Sequence, residues 1–436
     1  MPQRYWLETY GCQMNFAESN ALEIELAASG FVPALTPEEA DVVILNTCSV
    51  RQTAENRIWG RLGFFQHLRE SKRATVILTG CMAERLAEEI QDQSPVVDYV
   101  IGTNDKQQLA ELLNAPDAFS HAESYTFKTT YAGKDSRRAL VPIMNGCNNF
   151  CAYCIVPYVR GREVSRDPEE ISAEVDMLIE QGVREITLLG QNVNSYSFSG
   201  KGGTVSFPDL LDTISRQVPD TGWIRFLSPH PKDFSGELID LIGRRANICS
   251  HIHLPLQSGS TAVLRRMKRR YTREQYLGLV NDLRKAVPDI TFSTDILVGF
   301  PGEREEDFRD TLDMVERVGF LDAFTYYFNP REGTEAMQYD GHLDDDTKLR
   351  RLQELIALQR SVTRSLKEKR IGKQVRVLCE DVSKKDSRAF LTRTEHDETV
   401  IVANPQLVPG SFYDVTITRL VGNTFEGVPV CLGKQS

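Results

Sequence analysis

Short apolar runs alternate with amphipathic stretches over the first 125 residues. The apolar runs cover residues 5–9, 41–46, 74–79 and 96–101, and helical patterns over 17–29 and 83–91 lie between them. Near-continuous apolar strands that alternate with helices are typical of a parallel sheet with helices on both faces. The pattern therefore predicts an α/β fold for residues 1–125, with a doubly wound parallel sheet.

A second alternating region follows a polar linker at 126–138. Its strand-like runs cover residues 139–145, 185–190, 223–228, 251–256, 290–298 and 324–328, and helical patterns cover 168–181, 208–217, 273–286, 305–318 and 344–370. Six strands with helical crossovers predict a (β/α)6 partial barrel, which we place within residues 137–370. Barrel enzymes carry their chemistry at the carboxyl ends of the strands, so we expect the site there.

The last part of the chain changes to short strands separated by polar turns. These runs cover residues 374–379, 389–392, 400–402, 412–420 and 425–430. Five short strands of this kind favour a small OB-like β-barrel, predicted for residues 371–436.

Composition sets the class and compartment of the protein. A length of 436 residues suggests two or three domains. The sequence has no window of 18 apolar residues and no apolar signal core at its start, so we expect no membrane span. Nine cysteines in such a chain favour reduced thiols and metal binding, and hence a cytoplasmic location. The net charge of −10 gives no overall nucleic-acid signature.

Three closely spaced cysteines stand directly after the first barrel run. Cys147, Cys151 and Cys154 have the spacing CxxxCxxC. A ferredoxin-type 4Fe–4S cluster needs a fourth cysteine nearby, and a structural zinc site also needs four ligands. Three thiolates would leave one iron open to a small molecule. The alternative is a loop in which three cysteines occur by chance.

Three more cysteines follow the first three predicted strands. Cys12, Cys48 and Cys81 each come shortly after an apolar run. Parallel strands end at one edge of a sheet, where α/β proteins bind ligands, so we expect these thiols to converge. Alternatively, they are small core residues that close the strand ends.

The sequence motifs around these cysteines resemble those of a known family. The second triad, with Tyr153 before its last cysteine, is similar to the radical S-adenosylmethionine superfamily, and residues 9–15, 46–51 and 79–83 resemble the methylthiotransferase family within it. The resemblance implies two 4Fe–4S clusters, held by Cys12, Cys48 and Cys81 and by Cys147, Cys151 and Cys154. It also implies two molecules of S-adenosylmethionine per turnover, one of which yields a 5′-deoxyadenosyl radical.

The resemblance further implies a substrate. Residues 12–15 and 147–151 are most similar to the branch that inserts a methylthio group at C2 of N6-isopentenyladenosine at position 37 of tRNA. Sister branches act on threonylcarbamoyl-adenosine tRNA or on a ribosomal-protein aspartate, and they stay open as alternatives. The C-terminal strands resemble the RNA-binding TRAM domain. The implied partners are tRNA, an electron donor and a sulfur source, and we expect a monomer.

By the same resemblance, polar and aromatic residues at the barrel strand ends form the S-adenosylmethionine pocket. These residues are Tyr153, Gly190, Gln191, Asn192, Ser228, Gln257, Asp295, Phe328 and Arg331. Polar residues at strand ends also cap helices and form turns, which is the competing explanation.

Two basic stretches, 158–166 and 265–271, flank the expected site. Their side chains suit contacts with nucleic-acid phosphates, or they form solvated helix faces. Two other classes remain: an electron-transfer iron–sulfur protein and a metal-stabilised RNA-binding module. Iron content and S-adenosylmethionine binding separate them from the enzyme.

Overall fold

The computed structural model describes residues 2–49, 52–70, 73–116, 119–122, 124–129, 136–383 and 386–430. Parts of the predicted linker and the last six residues of the predicted C-terminal domain lie outside these ranges. The limits of the three domains therefore stay predictions.

The N-terminal region is a five-stranded parallel sheet with the strand order β2-β1-β3-β4-β5. The strands are β1 (Arg4–Thr9), β2 (Val32–Pro33), β3 (Val42–Thr47), β4 (Thr75–Gly80) and β5 (Tyr99–Ile101). The helices are α1 (Gln13–Ala28), α2 (Gln52–Arg69), α3 (Cys81–Arg85), α4 (Ala87–Gln93) and α5 (Leu109–Asn114). Strand β3 is buried at every position, because apolar clusters cover both faces of the sheet. The predicted doubly wound sheet is confirmed.

The central region contains six parallel barrel strands in two ladders, β12-β9-β6 and β13-β14-β15. The strands are β6 (Arg138–Pro142), β9 (Glu185–Leu189), β12 (Trp223–Phe226), β13 (His251–His253), β14 (Thr291–Val298) and β15 (Asp322–Tyr327). A single parallel bridge between Ile224 and Ile248 links the ladders, and no ladder among the described residues joins β6 to β15. The predicted (β/α)6 partial barrel is confirmed.

Eight helices belong to this region. They are α6 (Val156–Val159), α7 (Pro168–Glu180), α8 (Phe207–Gln217), α9 (Gly236–Arg244), α10 (Thr261–Arg266), α11 (Arg273–Ala286), α12 (Glu305–Val318) and α13 (Asp345–Glu368). The short α6 among them packs against the N-terminal region and not on the barrel strands. Two small antiparallel pairs join β7 (Met144–Asn145) to β8 (Val164–Ser165) and β10 (Ser197–Gly200) to β11 (Gly203–Ser206). The predicted strand over 139–145 is thus interrupted before Met144, where the chain turns into the cysteine loop.

The C-terminal region is a closed five-stranded barrel with the order β16-β17-β18-β20-β19. Its strands are β16 (Gln374–Val382), β17 (Phe390–Thr394), β18 (Thr399–Val402), β19 (Phe412–Val421) and β20 (Thr424–Pro429). Closure pairs β16 with β19 and removes the open sheet edges. The predicted small barrel is confirmed.

The C-terminal barrel docks against the amino ends of the central strands. Arg225 donates to the carbonyl oxygens of Thr394 (2.9 Å) and Glu395 (2.7 Å), and the Trp223 and Phe412 rings lie 4.8 Å apart. The opposite, carboxyl ends of the strands remain for chemistry.

None of the helices in the described part of the chain is both long enough and apolar enough to cross a membrane.

Candidate active site

The second cysteine triad lies on a loop that backbone contacts hold in place. Cys147 donates its N–H to the carbonyl oxygen of Gly161 (3.2 Å), and the Gln191 side chain accepts from the N–H of Gly146 (2.6 Å). Gly146 has φ +82°, and a side chain there would meet the backbone of Arg162. Glycine is required at this position because L-residues rarely adopt that conformation. The fixed loop gives the three thiols a defined arrangement.

Burial disfavours the thiolate forms of Cys147 and Cys154. Burial raises the pKa of Cys147 to about 11, and burial together with the neighbouring Cys151 raises that of Cys154 to about 12. Since a metal ion deprotonates a coordinating thiol, an iron site fits this set. Arg269, which is 6% exposed, also donates from Nη1 to Cys151 Sγ (3.5 Å).

The first triad gathers at the carboxyl edge of the N-terminal sheet. Cys12 follows β1, Cys48 follows β3, and Cys81 opens α3 directly after β4. Cys48 and Cys81 are buried, whereas Cys12 is exposed. The loops abut so closely that a Cβ added to Gly11 would lie 2.7 Å from Cys48 Sγ. The thiols that the strand pattern brought to one edge therefore share one small region.

Each cysteine triad has the number of thiols that would bind three corners of an iron–sulfur cube. Among the described residues, no three Cys, His, Asp or Glu side chains converge on one ion. Three thiolates that bind three corners of an iron–sulfur cube do not need to meet at one point, and each triad supplies three thiols. Cys249 and Cys379 lie in apolar clusters elsewhere. The assignment of the six cysteines as ligands stays a prediction.

The chain segment that follows the second triad packs against the first triad. Cys81 packs against Ile155 and Val159, which directly follow the second triad. Thr103, from the N-terminal region, donates its hydroxyl to the carbonyl oxygen of Val159 (2.8 Å). The structure thus brings together two sites that lie far apart in the sequence.

Several predicted pocket residues line the carboxyl ends of the strands. Gly190 packs so closely on Met144 that a side chain would clash, and Asn192 donates to Asp233 (2.9 Å). The Asn192 Oδ1 atom is buried without a hydrogen-bond partner among the described residues. Ser228 and Gln257 have φ values of +61° and +65°. Such backbone strain is common at functional sites.

The other predicted pocket residues make contacts of two kinds. Tyr153 and Phe328 form an aromatic cluster with Phe300, with centroid distances of 6.5 and 5.3 Å to the Phe300 ring. Asp295 Oδ2 lies 3.2 Å from His253 Nε2.

Arg331 turns towards the N-terminal region, where Nη1 donates to Glu55 Oε1 (3.0 Å). All these cofactor roles stay predictions.

Family models and curated relatives of this chain agree on one family. The model described as "Radical SAM superfamily" matches residues 141–315, and "Uncharacterized protein family UPF0004" matches residues 4–102. A tRNA-2-methylthio-N(6)-dimethylallyladenosine synthase from Treponema pallidum (strain Nichols) is 46% identical, over 96% of this chain and 97% of that protein. The protein of the same name from Moorella thermoacetica is 43% identical, over 94% and 95%. The chain belongs to this synthase family.

Two solved structures have a fold similar to that of this synthase-family member. The radical S-adenosylmethionine methyltransferase TsrM from Kitasatospora setae, with cobalamin and a [4Fe-4S] cluster bound, has a TM-score of 0.57 and 14% identity, over 77% of this chain and 74% of TsrM. The cobalamin-dependent S-adenosylmethionine radical enzyme OxsB has a TM-score of 0.52 and 12% identity, over 80% and 56%. These two similarities concern the fold alone. The family model and the relatives at 43–46% identity show that the protein is a radical S-adenosylmethionine enzyme.

The sequence interpretation of the two basic stretches needs correction at three positions. The basic stretches were expected to contact phosphates or to form solvated faces. This expectation is wrong for Arg160, Arg166 and Arg269, which are 3–6% exposed. It stays a prediction for the exposed Arg162, Arg265, Lys268 and Arg270. Arg160 pairs with Glu18 (2.7 Å), and Arg166 pairs with Glu174. Sequence reasoning missed Arg160 and Arg269 because their partners, Glu18 and Cys151, are distant in the chain. The partner of Arg166, Glu174, is only eight residues away, and the apolar residues among these arginines were the available signal.

Proposed function

We propose that the chain inserts a methylthio group at C2 of N6-isopentenyladenosine at position 37 of tRNA. The observation that carries the proposal is the juxtaposition of two three-cysteine sets, in a chain that matches named synthases over nearly its whole length. The substrate assignment rests on the names of those relatives.

The proposal includes two 4Fe–4S clusters and two molecules of S-adenosylmethionine per turnover. Cys147, Cys151 and Cys154 would hold the cluster that binds S-adenosylmethionine, and the first triad would hold an auxiliary cluster. When bound, these groups supply the radical that activates the adenosine and the sulfur that is inserted.

The protein's own residues orient the groups and exclude water. Gln191 fixes the start of the cysteine loop through Gly146, and the Phe300 cluster closes the apolar side of the pocket. A base in a tRNA loop would leave its stack to reach the open barrel, as bases do in other base-modifying enzymes. Among the described residues no ladder joins β6 to β15, and the gap between these strands would give the base room to enter.

The proposal requires further partners. An electron donor reduces the cluster and a sulfur source replenishes the auxiliary site. We place the protein in the cytoplasm as a monomer, with the C-terminal barrel acting as a TRAM domain that contacts tRNA.

Anaerobic, reconstituted protein and isopentenylated tRNA test this function directly. Mass analysis of the nucleosides should find the methylthio product with the native chain. Cys147→Ala should abolish 5′-deoxyadenosine formation, whereas Cys12→Ala should permit it but give no methylthio product.

Cys249→Ala is the control for the loss of a thiol, because Cys249 is buried, as Cys147 is, but lies in an apolar cluster away from both triads. Normal product from Cys12→Ala would refute the two-cluster proposal.

A further inference from the structure

A cluster of buried charges lies between the two cysteine triads. Lys106 and Arg160 both pair with Glu18, at 2.5 and 2.7 Å, and all three side chains are at most 2% exposed. The remaining hydrogen-bond partners, Asn46 and Tyr125 among them, are neutral. Two cations with one carboxylate leave an excess positive charge in the interior. Burying an unbalanced charge is costly, so an anion is expected nearby.

The first triad would supply that anion with its cluster bound. Arg160 interacts electrostatically with Cys81 and Cys12, and Lys106 interacts with Cys81. A 4Fe–4S cube with three thiolates is net negative, so a loaded auxiliary site would balance the excess. Burial alone would raise the pKa of Glu18, but Arg160 and Lys106 lower it to about 2. Glu18 therefore stays ionised.

Arg160 also joins the loops that carry the two triads. Its Nη2 donates to Asn15 Oδ1 (2.9 Å), and Asn15 in turn donates to the carbonyl oxygens of Tyr10 (2.7 Å) and Thr47 (2.9 Å), next to the loops of the first triad. Its Nη1 donates to Asn145 Oδ1 (2.9 Å), just before the second triad. Arg160 is the shared donor of both bonds, and its planar fork suits this geometry in a way that a lysine cannot.

We propose that Arg160 is a positioning residue that fixes the two cysteine triads relative to each other and supplies, with Lys106, the positive charge that balances the auxiliary cluster. This inference rests on the proposed two-cluster function. It assigns Arg160 two separable effects, one on geometry and one on charge.

Redox titration followed by electron paramagnetic resonance measures both effects in the full chain with both clusters loaded. The auxiliary signal is assigned with a chain whose second-triad cysteines are replaced by alanine. Arg160→Met should lower the midpoint potential of the auxiliary cluster, because a positive charge favours the reduced state. We expect at least a tenfold change in the ratio of reduced to oxidised cluster, or about 59 mV. The magnetic interaction between the two reduced clusters should also weaken.

Companion variants separate the two effects. Lys106→Met should lower the potential but keep the interaction between the clusters, because Lys106 makes no bond to the second-triad loop. Arg160→Lys should recover the potential but not that interaction.

Arg166→Met is the control, since its pair with Glu174 is equally buried within the barrel. It should change neither quantity.

Two results would overturn the inference. One is a potential in Arg160→Met and Lys106→Met that matches the Arg166→Met control. The other is a magnetic interaction between the clusters in Arg160→Met that equals that of the control. If Arg160→Met does not retain its clusters, Lys106→Met and Arg160→Lys still decide the two effects. A native chain with only one cluster would instead refute the proposed function, before any variant is compared.

Discussion

Two histidines at the seam between the central and C-terminal barrels make that seam sensitive to acid. His396 Nδ1 lies 3.0 Å from Thr291 Oγ1 and 3.2 Å from the carbonyl oxygen of Ser250. His251 contacts the same hydroxyl: its Nδ1 lies 2.8 Å from Thr291 Oγ1, and its Nε2 lies 3.1 Å from Ser293 Oγ. Burial lowers the pKa of both histidines to about 3. Both imidazoles are therefore neutral in the docked state.

The sign of the pH dependence follows from these values. In the unfolded chain each imidazole binds a proton near pH 6.5, so the unfolded state gains protons first as the pH falls. The stabilisation is fully present above pH 6.5 and is lost progressively towards pH 3. Each imidazole accounts for about 1.4 kcal/mol per pH unit in that window. The pair should therefore lose about 2–3 kcal/mol between pH 7.5 and 5.5.

Trp223 provides a local probe of this seam. Its ring is buried against Phe412 of the C-terminal barrel. The chain has three tryptophans, so replacing Trp6 and Trp59 by phenylalanine leaves Trp223 as the reporter. Urea titrations at pH 7.5 and 5.5, followed by Trp223 emission, then give the free energy of unfolding at the seam.

The comparison that matters is between the native histidines and a double variant, His251→Gln with His396→Gln. Glutamine can still form hydrogen bonds but does not titrate, so the fall in unfolding free energy between the two pH values should shrink by about 2–3 kcal/mol. The difference between proteins cancels the titration of carboxylates that both share. An equal fall in both proteins would refute the assignment of neutral, buried imidazoles.

Two further substitutions test the packing around the site. Gly11→Ala should prevent assembly of the auxiliary cluster, because the new Cβ would meet Cys48 and the φ of +115° is unfavourable. Iron analysis should then show one cluster fewer. The control Gly30→Ala, with φ +87° but open surroundings, should keep both clusters. Arg331→Gln should lower the unfolding free energy by about 1.5–3 kcal/mol, because it removes a charged hydrogen bond to buried Glu55 across the domain boundary; an unchanged denaturant midpoint would contradict this.

The sequence was enough to predict the position of the first triad. Cys12, Cys48 and Cys81 each follow an apolar strand, and parallel strands must end at one edge. That argument uses only local pattern and a rule of topology, which is why it worked without long-range contacts. The OB-like barrel was predictable in the same way, from short strands and turns.

The long-range pairing of charged residues could not be predicted from the sequence. Arg160 and Glu18 are 142 residues apart, and no local pattern links them. A basic run is usually solvated, so its burial depends on a partner that only the packed domains bring near. The strand that ends at His253 is also shorter than the predicted run 251–256. Beyond it, the Thr294 hydroxyl accepts from the N–H of Leu256, and only an isolated bridge at Gln257 continues the pairing with β14.

The account depends on two iron–sulfur cubes in one chain, each bound by three thiolates. Mössbauer spectroscopy with iron and sulfide analysis of anaerobically prepared, full-length protein tests this most directly. We predict two 4Fe–4S clusters, and addition of S-adenosylmethionine should change the signal of one iron in the cluster of Cys147, Cys151 and Cys154. A single cluster, or two clusters that both fail to respond to S-adenosylmethionine, would contradict the account.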